Sequence, residues 1–230
     1  HILKEVLRKA SKMGYIVNCK ERAISSLEHK WGESAILILL YLLIGGTVSY
    51  GPGLLMPSAT SNITSSVTIN IISLLLIPMS WGVTITFLEV SRGMKVNYGN
   101  LTKGYHDFTR IFLTILLKGI YTLLWSLLLI IPGIVKSYSY AMTEFVLVDR
   151  PDLAYNEAFE ESMRLMQGNK WRLFVLDLSF LGWALLCILT LGIGYLFLAP
   201  YMEVAHAHFY ADLKADDQEF SDDTITIETI

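Results

Sequence analysis

The chain has 230 residues, of which 53% are hydrophobic and only 17% charged, where a soluble domain carries roughly 25% charged residues. The formal net charge of −3 is unevenly spread: residues 212–230 hold seven acids and one Lys, whereas residues 1–211 hold 17 Lys/Arg against 14 acids. No block is basic enough, or suitably interleaved with aromatics, to bind nucleic acid, and neither Cys19 nor Cys187 has the CxxC partner of a thiolate metal site.

Residues 1–33 form a basic amphipathic segment with no apolar core of signal-peptide type. Ile2, Leu3, Val6, Leu7 and Ala10 share one helical face, and Lys4, Arg8, Lys9 and Lys12 the other. Such a helix is expected to lie in the headgroup plane. Apolar runs follow at 34–55, 69–90, 110–131, 133–149, 171–190 and 193–212. A span needs about 20 such residues, because the hydrocarbon core is ~30 Å thick and a helix rises 1.5 Å per residue. The runs predict an all-α fold: a polytopic helical membrane protein with six transmembrane helices, forming one membrane domain over 1–213. The acidic segment 214–230 is expected to be a disordered tail.

Lys and Arg decide which loops stay in the cytoplasm. They occur before the first run, after the second (Arg92, Lys95, Lys103) and after the fourth (Arg150, Arg164, Lys170), and are absent from 56–68, 132 and 191–192. Six spans with both termini cytoplasmic fit this alternation. Cys19 and Cys187 then fall on opposite sides, which excludes a disulfide between them. The stretch "IIPGIVKSYSYAMTEFVLVD" becomes the fourth span, with Lys136 snorkelling near the outer headgroups and Glu144 near the inner surface. At 17 residues it is short, and a half-inserted segment is the alternative. Ahead of the fifth run, Tyr155, Ala158, Phe159, Met163 and Met166 recur at helical spacing within 153–167. This predicts a second in-plane helix, or else one packed on a cytoplasmic partner.

Internal echoes point to three repeated units of about 20–90, 91–149 and 150–213, each an in-plane helix followed by a hairpin. "LEHKW" precedes the first run as "MQGNKW" precedes the fifth, and Pro78 precedes Phe87 by nine residues as Pro200 precedes Phe209. Gly45, Gly46, Gly119, Gly182, Gly192 and Gly194 are read as places of close helix approach. Trp31, Trp81, Trp125, Trp171 and Trp183 are read as interfacial belts.

Ionisable groups inside spans are candidate functional residues, because burying them is costly. Glu89, Glu144, Asp177 and Glu203 fall in the inner half of four different spans and form an acidic ring if those helices converge. Such a ring would suit a cation, a proton or a cationic head group. The plainer reading pairs each carboxylate with Arg92, Arg110, Lys118 or Arg172. Lys118 lies deepest, and its expected partner is Glu144 or Glu203. Glu203 and His206 share a helical face, a Glu-x-x-His pair that some metal sites use. His208 lies on another face and no second Glu-x-x-His is present, so no metal and no cofactor is assigned. Catalytic residues are not identifiable: there is no Walker A loop, HExxH or GxSxG.

"IPGIVKSYSYAMTEFVLVDRPDL", "EAFEESMRLMQGNKWRLFVLDLSFLGWALL" and "LGIGYLFLAPYMEVAHAHFYADL" resemble the bacterial membrane proteins of the domain of unknown function 975 family. The resemblance is strong over 91–213 and weak over the first two runs. It implies a bacterial cytoplasmic-membrane protein and transfers no activity or site residue. The expected function is binding or moving a small amphiphile, such as a lipid or a membrane-active peptide. The alternatives are a structural or regulatory membrane subunit, and a metal-dependent membrane enzyme using Glu203, His206, Asp177 and Glu144. Expected partners are membrane lipids and a protein docking at 153–167 or on the acidic tail.

Overall fold

Among the described residues every regular element is an α-helix in this computed structural model. The structure describes residues 2–55, 76–128, 130–190 and 192–228, and side chains within 14–48, 76–127, 131–154, 156–190 and 192–218. The helices are α1 (Ile2–Leu27), α2 (Trp31–Leu55), α3 (Ile77–Ser91), α4 (Asn100–Lys103), α5 (Phe108–Leu128), α6 (Ile130–Ser139), α7 (Thr143–Asp149), α8 (Tyr155–Leu165), α9 (Lys170–Leu189) and α10 (Tyr195–Glu228). Residues 56–68, and the beginning of the second apolar run at 69–75, lie outside the described residues.

The apolar helices divide into an inner pair and an outer set. In α3, residues from Pro78 to Val90 are buried, apart from Ser80 and Glu89. A helix apolar on all sides needs cover all round, from protein or from lipid, and α3 finds it in α1, α2, α4, α5, α7 and α10. The first half of α10 is its partner, burying Val204, Ala205, Ala207, Phe209 and Tyr210. Three other helices are long and apolar enough to cross a membrane: Trp31–Val48 in α2, Phe108–Leu127 in α5 and Lys170–Leu189 in α9. Only 22%, 11% and 17% of those windows is buried inside the protein. Leu43, Leu127 and Leu189, for example, are 57%, 83% and 81% exposed. Apolar surface on this scale has a cause in a membrane rather than in water, so the three helices suggest membrane association.

The expectation of six spans is therefore corrected to three qualifying helices among the described residues. The fourth run is not one helix. It divides into the ten residues of α6 and the seven of α7, joined by a turn at 140–142. At 1.5 Å per residue neither approaches ~30 Å. α6 folds back along α5, and a Cβ on Gly133 would sit 2.6 Å from Ser126 Cα. Lys136 lies over the Trp125 ring, 5.2 Å from its centroid, and its Nζ is 4.0 Å from Met163 Sδ. The sixth run is the start of a helix that continues through Glu228. Residues 214–228, expected to be disordered, are thus helical. Where side chains are described, cations hold this segment: Lys214 meets Asp149 at 2.8 Å, Asp217 meets Arg164 at 2.5 Å and Asp216 meets Arg172 at 3.4 Å.

The amphipathic segments also find partners within the chain. α8 buries Ala158, Phe159, Leu165 and Met166, and Phe159 packs edge-on to Tyr121 and Tyr140. α1 buries Cys19, Ala23 and Leu27 and runs along α10. The side chains of Ile2, Leu3, Val6, Leu7 and Ala10 lie outside the described residues. Both cysteines are free.

Two sequence readings of small and aromatic residues change. Close backbone approach occurs at Gly82, where a Cβ would lie 2.4 Å from Asn100 O, and at Gly104, where it would lie 2.2 Å from Pro78 O. Gly45, Gly46, Gly119, Gly182 and Gly192 have nothing within 4 Å. Trp81 is buried rather than interfacial, and its Nε1 donates to Glu144 O at 3.2 Å.

Candidate functional site

The break between α6 and α7 shows in the backbone hydrogen bonds. Val146 and Arg150 N–H groups close helical bonds on Met142 and Val146, whereas Tyr140 donates back to Lys136 and Ser137. Between them, Ala141 and Thr143 close only tighter turn bonds, on Tyr138 at 3.4 Å and Tyr140 at 3.2 Å. α7 is thereby re-aimed so that Glu144 faces Lys118 on α5. The Lys118 Nζ to Glu144 Oε1 distance is 2.8 Å, and Thr84 Oγ1 on α3 donates to Glu144 Oε2 at 3.3 Å. Both ends of the pair are mostly enclosed, at 24% and 22% side-chain exposure.

A second polar group faces this pair from α9 and α10. Asp177 Oδ1 is 2.6 Å from His206 Nε2, and Tyr138 on α6 donates its hydroxyl to Asp177 Oδ2 at 3.1 Å. One helical turn before His206 stands Glu203. Among the described residues Glu203 has no hydrogen bond or ion pair, only longer-range interactions with His206, Glu144 and Lys118. Pro200, three residues earlier, carries no N–H for the α10 ladder.

These groups line one cavity of about 560 Å³, bounded by α3, α5, α6, α7, α9 and α10 and half-open to the outside. Five of the six sequence candidates meet there: Lys118, Glu144, Asp177, Glu203 and His206. With Glu203 ionised, one lysine faces three carboxylates, leaving two surplus negative charges if His206 is neutral and one if it is protonated. Glu89 is the exception. It points to α4, with Asn100 Nδ2 at 2.7 Å and Lys103 Nζ at 3.3 Å. Its expected neighbour Arg92 turns instead to Asp149, at 2.7 Å.

Thr84 and Tyr138 belong to the site but escape a reading based on charge. Their signal is a hydroxyl recurring inside an apolar run, and it is weak because such hydroxyls usually bond to their own helix. The Glu203–His206 pair does not gather further metal ligands. No three His, Cys, Asp or Glu side chains converge as a ligand set among the described residues, and His206 Nε2 is engaged by Asp177. His208 faces elsewhere, with Nε2 2.9 Å from Ser26 Oγ.

Chemically, the cavity offers hydrogen-bond acceptors and net negative charge inside a ring of outward-facing apolar helices. Nothing in it resembles an activated nucleophile with an adjacent base and orienting group. A family model described as "Protein of unknown function (DUF975)" matches residues 13–136 and 127–217. No curated protein and no solved structure matches the chain.

Proposed function

The chain belongs to the DUF975 family, whose description assigns no activity, and we propose from its own geometry that it is an integral membrane protein binding a small amphiphile through a cationic group. The observation that carries this is Glu203, a carboxylate with no hydrogen bond or ion pair among the described residues, facing a cavity in which carboxylates outnumber Lys118. A half-buried carboxylate with no partner is less well solvated than one in bulk water. A ligand cation at that place would offset the lost solvation. The apolar flanks of α2, α5 and α9 give the ligand's hydrocarbon portion a route along the lipid.

Orientation follows from the charged end of the bundle. Arg22–Asp212, Arg164–Asp217 and Arg172–Asp216 tie α1, α8 and α9 to the middle of α10, and Arg92–Asp149 and Lys214–Asp149 add the ends of α3 and α7 to the same belt. In this reading the belt lies at the cytoplasmic surface of a cell membrane, with both described ends of the chain on that side.

The test uses the full chain in lipid nanodiscs, with empty nanodiscs subtracting simple partition. Dodecylammonium is expected to bind saturably at one site, dodecyl sulfate not at all. Glu203→Gln is expected to weaken dodecylammonium about tenfold, the worth of roughly 1.4 kcal/mol. Equal uptake by wild type, variant and empty discs would overturn the proposal.

A further inference from the structure

Glu203 does not face one cavity alone. A second chamber of about 280 Å³ lies on its other side, between α2, α3 and the start of α10. Thr84, Glu144 and Glu203 line both chambers. The two spaces therefore meet at a polar threshold made of one hydroxyl and two carboxylates. Beyond the threshold the chemistry changes. The first chamber carries Lys118, Asp177 and His206. The second has no other charged group: it is walled by Tyr41, Tyr195 and Ser80 and by the apolar Ile38, Val83 and Ala199.

The Tyr41 hydroxyl lies within electrostatic reach of Glu144, Glu203 and Tyr195. Tyr41 is half-buried and Tyr195 exposed. Two aromatic rings, apolar walls and a carboxylate at the base make a surface for a cation that carries alkyl groups. Such a cation gains from the negative faces of the rings and loses little when its weakly held water is stripped. A primary ammonium, by contrast, needs three hydrogen-bond acceptors. The first chamber supplies more acceptors and so suits a primary ammonium better than an alkylated one.

We infer that the second chamber is the head-group seat for an alkylated (quaternary) ammonium, with Tyr41 and Tyr195 as its walls and Glu203 as its counter-charge. This rests on the cationic-amphiphile reading and narrows it to one head-group class.

The experiment compares dodecyltrimethylammonium with dodecylammonium on the full chain in nanodiscs, again against empty discs. Wild type is expected to favour the quaternary probe by about fivefold or more. Tyr41→Leu and Tyr195→Leu should erase that preference, and Tyr41→Phe should keep it, because the ring rather than the hydroxyl carries the attraction. Val83→Trp, which fills the chamber without touching a charge, should abolish quaternary binding if a leucine variant fails to fold. Loss of binding in Glu203→Gln together with unchanged selectivity in the tyrosine and Val83 variants would overturn this inference and leave the broader reading standing. Binding that survives Glu203→Gln unchanged would overturn both.

Discussion

Lys118 is the residue on which the interior depends most. Its ammonium is matched to Glu144 across the α5–α7 contact at 2.8 Å, and removing one member of such a pair strands the other. Lys118→Met is expected to cost about 2–3 kcal/mol, somewhat below the loss for a fully buried pair. Lys118→Met combined with Glu144→Leu should recover most of it, as chemical denaturation in detergent would show. A second residue carries local strain. His29, in the turn between α1 and α2, has φ 64° and is exposed. A non-glycine residue in the left-handed region costs on the order of 1 kcal/mol. His29→Gly should therefore raise the midpoint of thermal unfolding without altering ligand binding. The turn before α9 also has a residue with positive φ, Gly168 at 79°, but one position further from its Lys-Trp than His29 is.

At the scale of elements, α3 and α4 are pressed together through glycine. A Cβ at position 82 would lie 2.4 Å from a backbone oxygen and 2.6 Å from a Cα, neither of which can swing aside. Gly82→Ala is expected to cost about 2–3 kcal/mol, an overpacking penalty, measurable as a lower unfolding midpoint. α8 and the end of α10 are joined differently, by Arg164 between Glu161 and Asp217. The hydrogen bond from Arg164 holds both carboxyls below their ordinary values. The stability this gives is present above the unfolded carboxylate range and is lost as pH falls through the lowered values. Hydrogen exchange in 212–218 should thus accelerate below about pH 4, and Arg164→Gln should produce the same acceleration at neutral pH. All-helical architecture was legible in the apolar runs, as was a carboxylate partner for Lys118, read as Glu144 or Glu203 and found to be Glu144. The number of spans was not. A helix buried on all sides by protein and one surrounded by lipid have the same composition, so α3 and the start of α10 read as spans when they form the core. The break at 140–142 carries no Gly or Pro. It is set by contacts distant in sequence: the Trp81 indole on Glu144 O and Lys118 on the Glu144 carboxylate.

Among the described residues an apolar core holds one polar cavity, with a sheath of apolar helices facing outward around it and ion pairs tying the helices together. The acidic α10 extension takes part in these ties, because Asp212, Asp216 and Asp217 meet Arg22, Arg172 and Arg164. The sequence showed basic flanks and an acidic tail as separate features, and only the fold brings them together. The account stands on the sheath facing lipid while Glu203 faces a water-reachable cavity behind it. Nitroxide labels at Leu42, Leu124, Leu185 and Glu203, placed one at a time in nanodiscs after Cys19 and Cys187 are replaced by alanine, measure this directly through collision with oxygen and with a water-soluble nickel chelate. The expected result is oxygen-rich, nickel-poor environments at 42, 124 and 185, and nickel access at 203. Nickel access at the three sheath positions, or its exclusion from position 203 alongside high oxygen contact, would contradict the account.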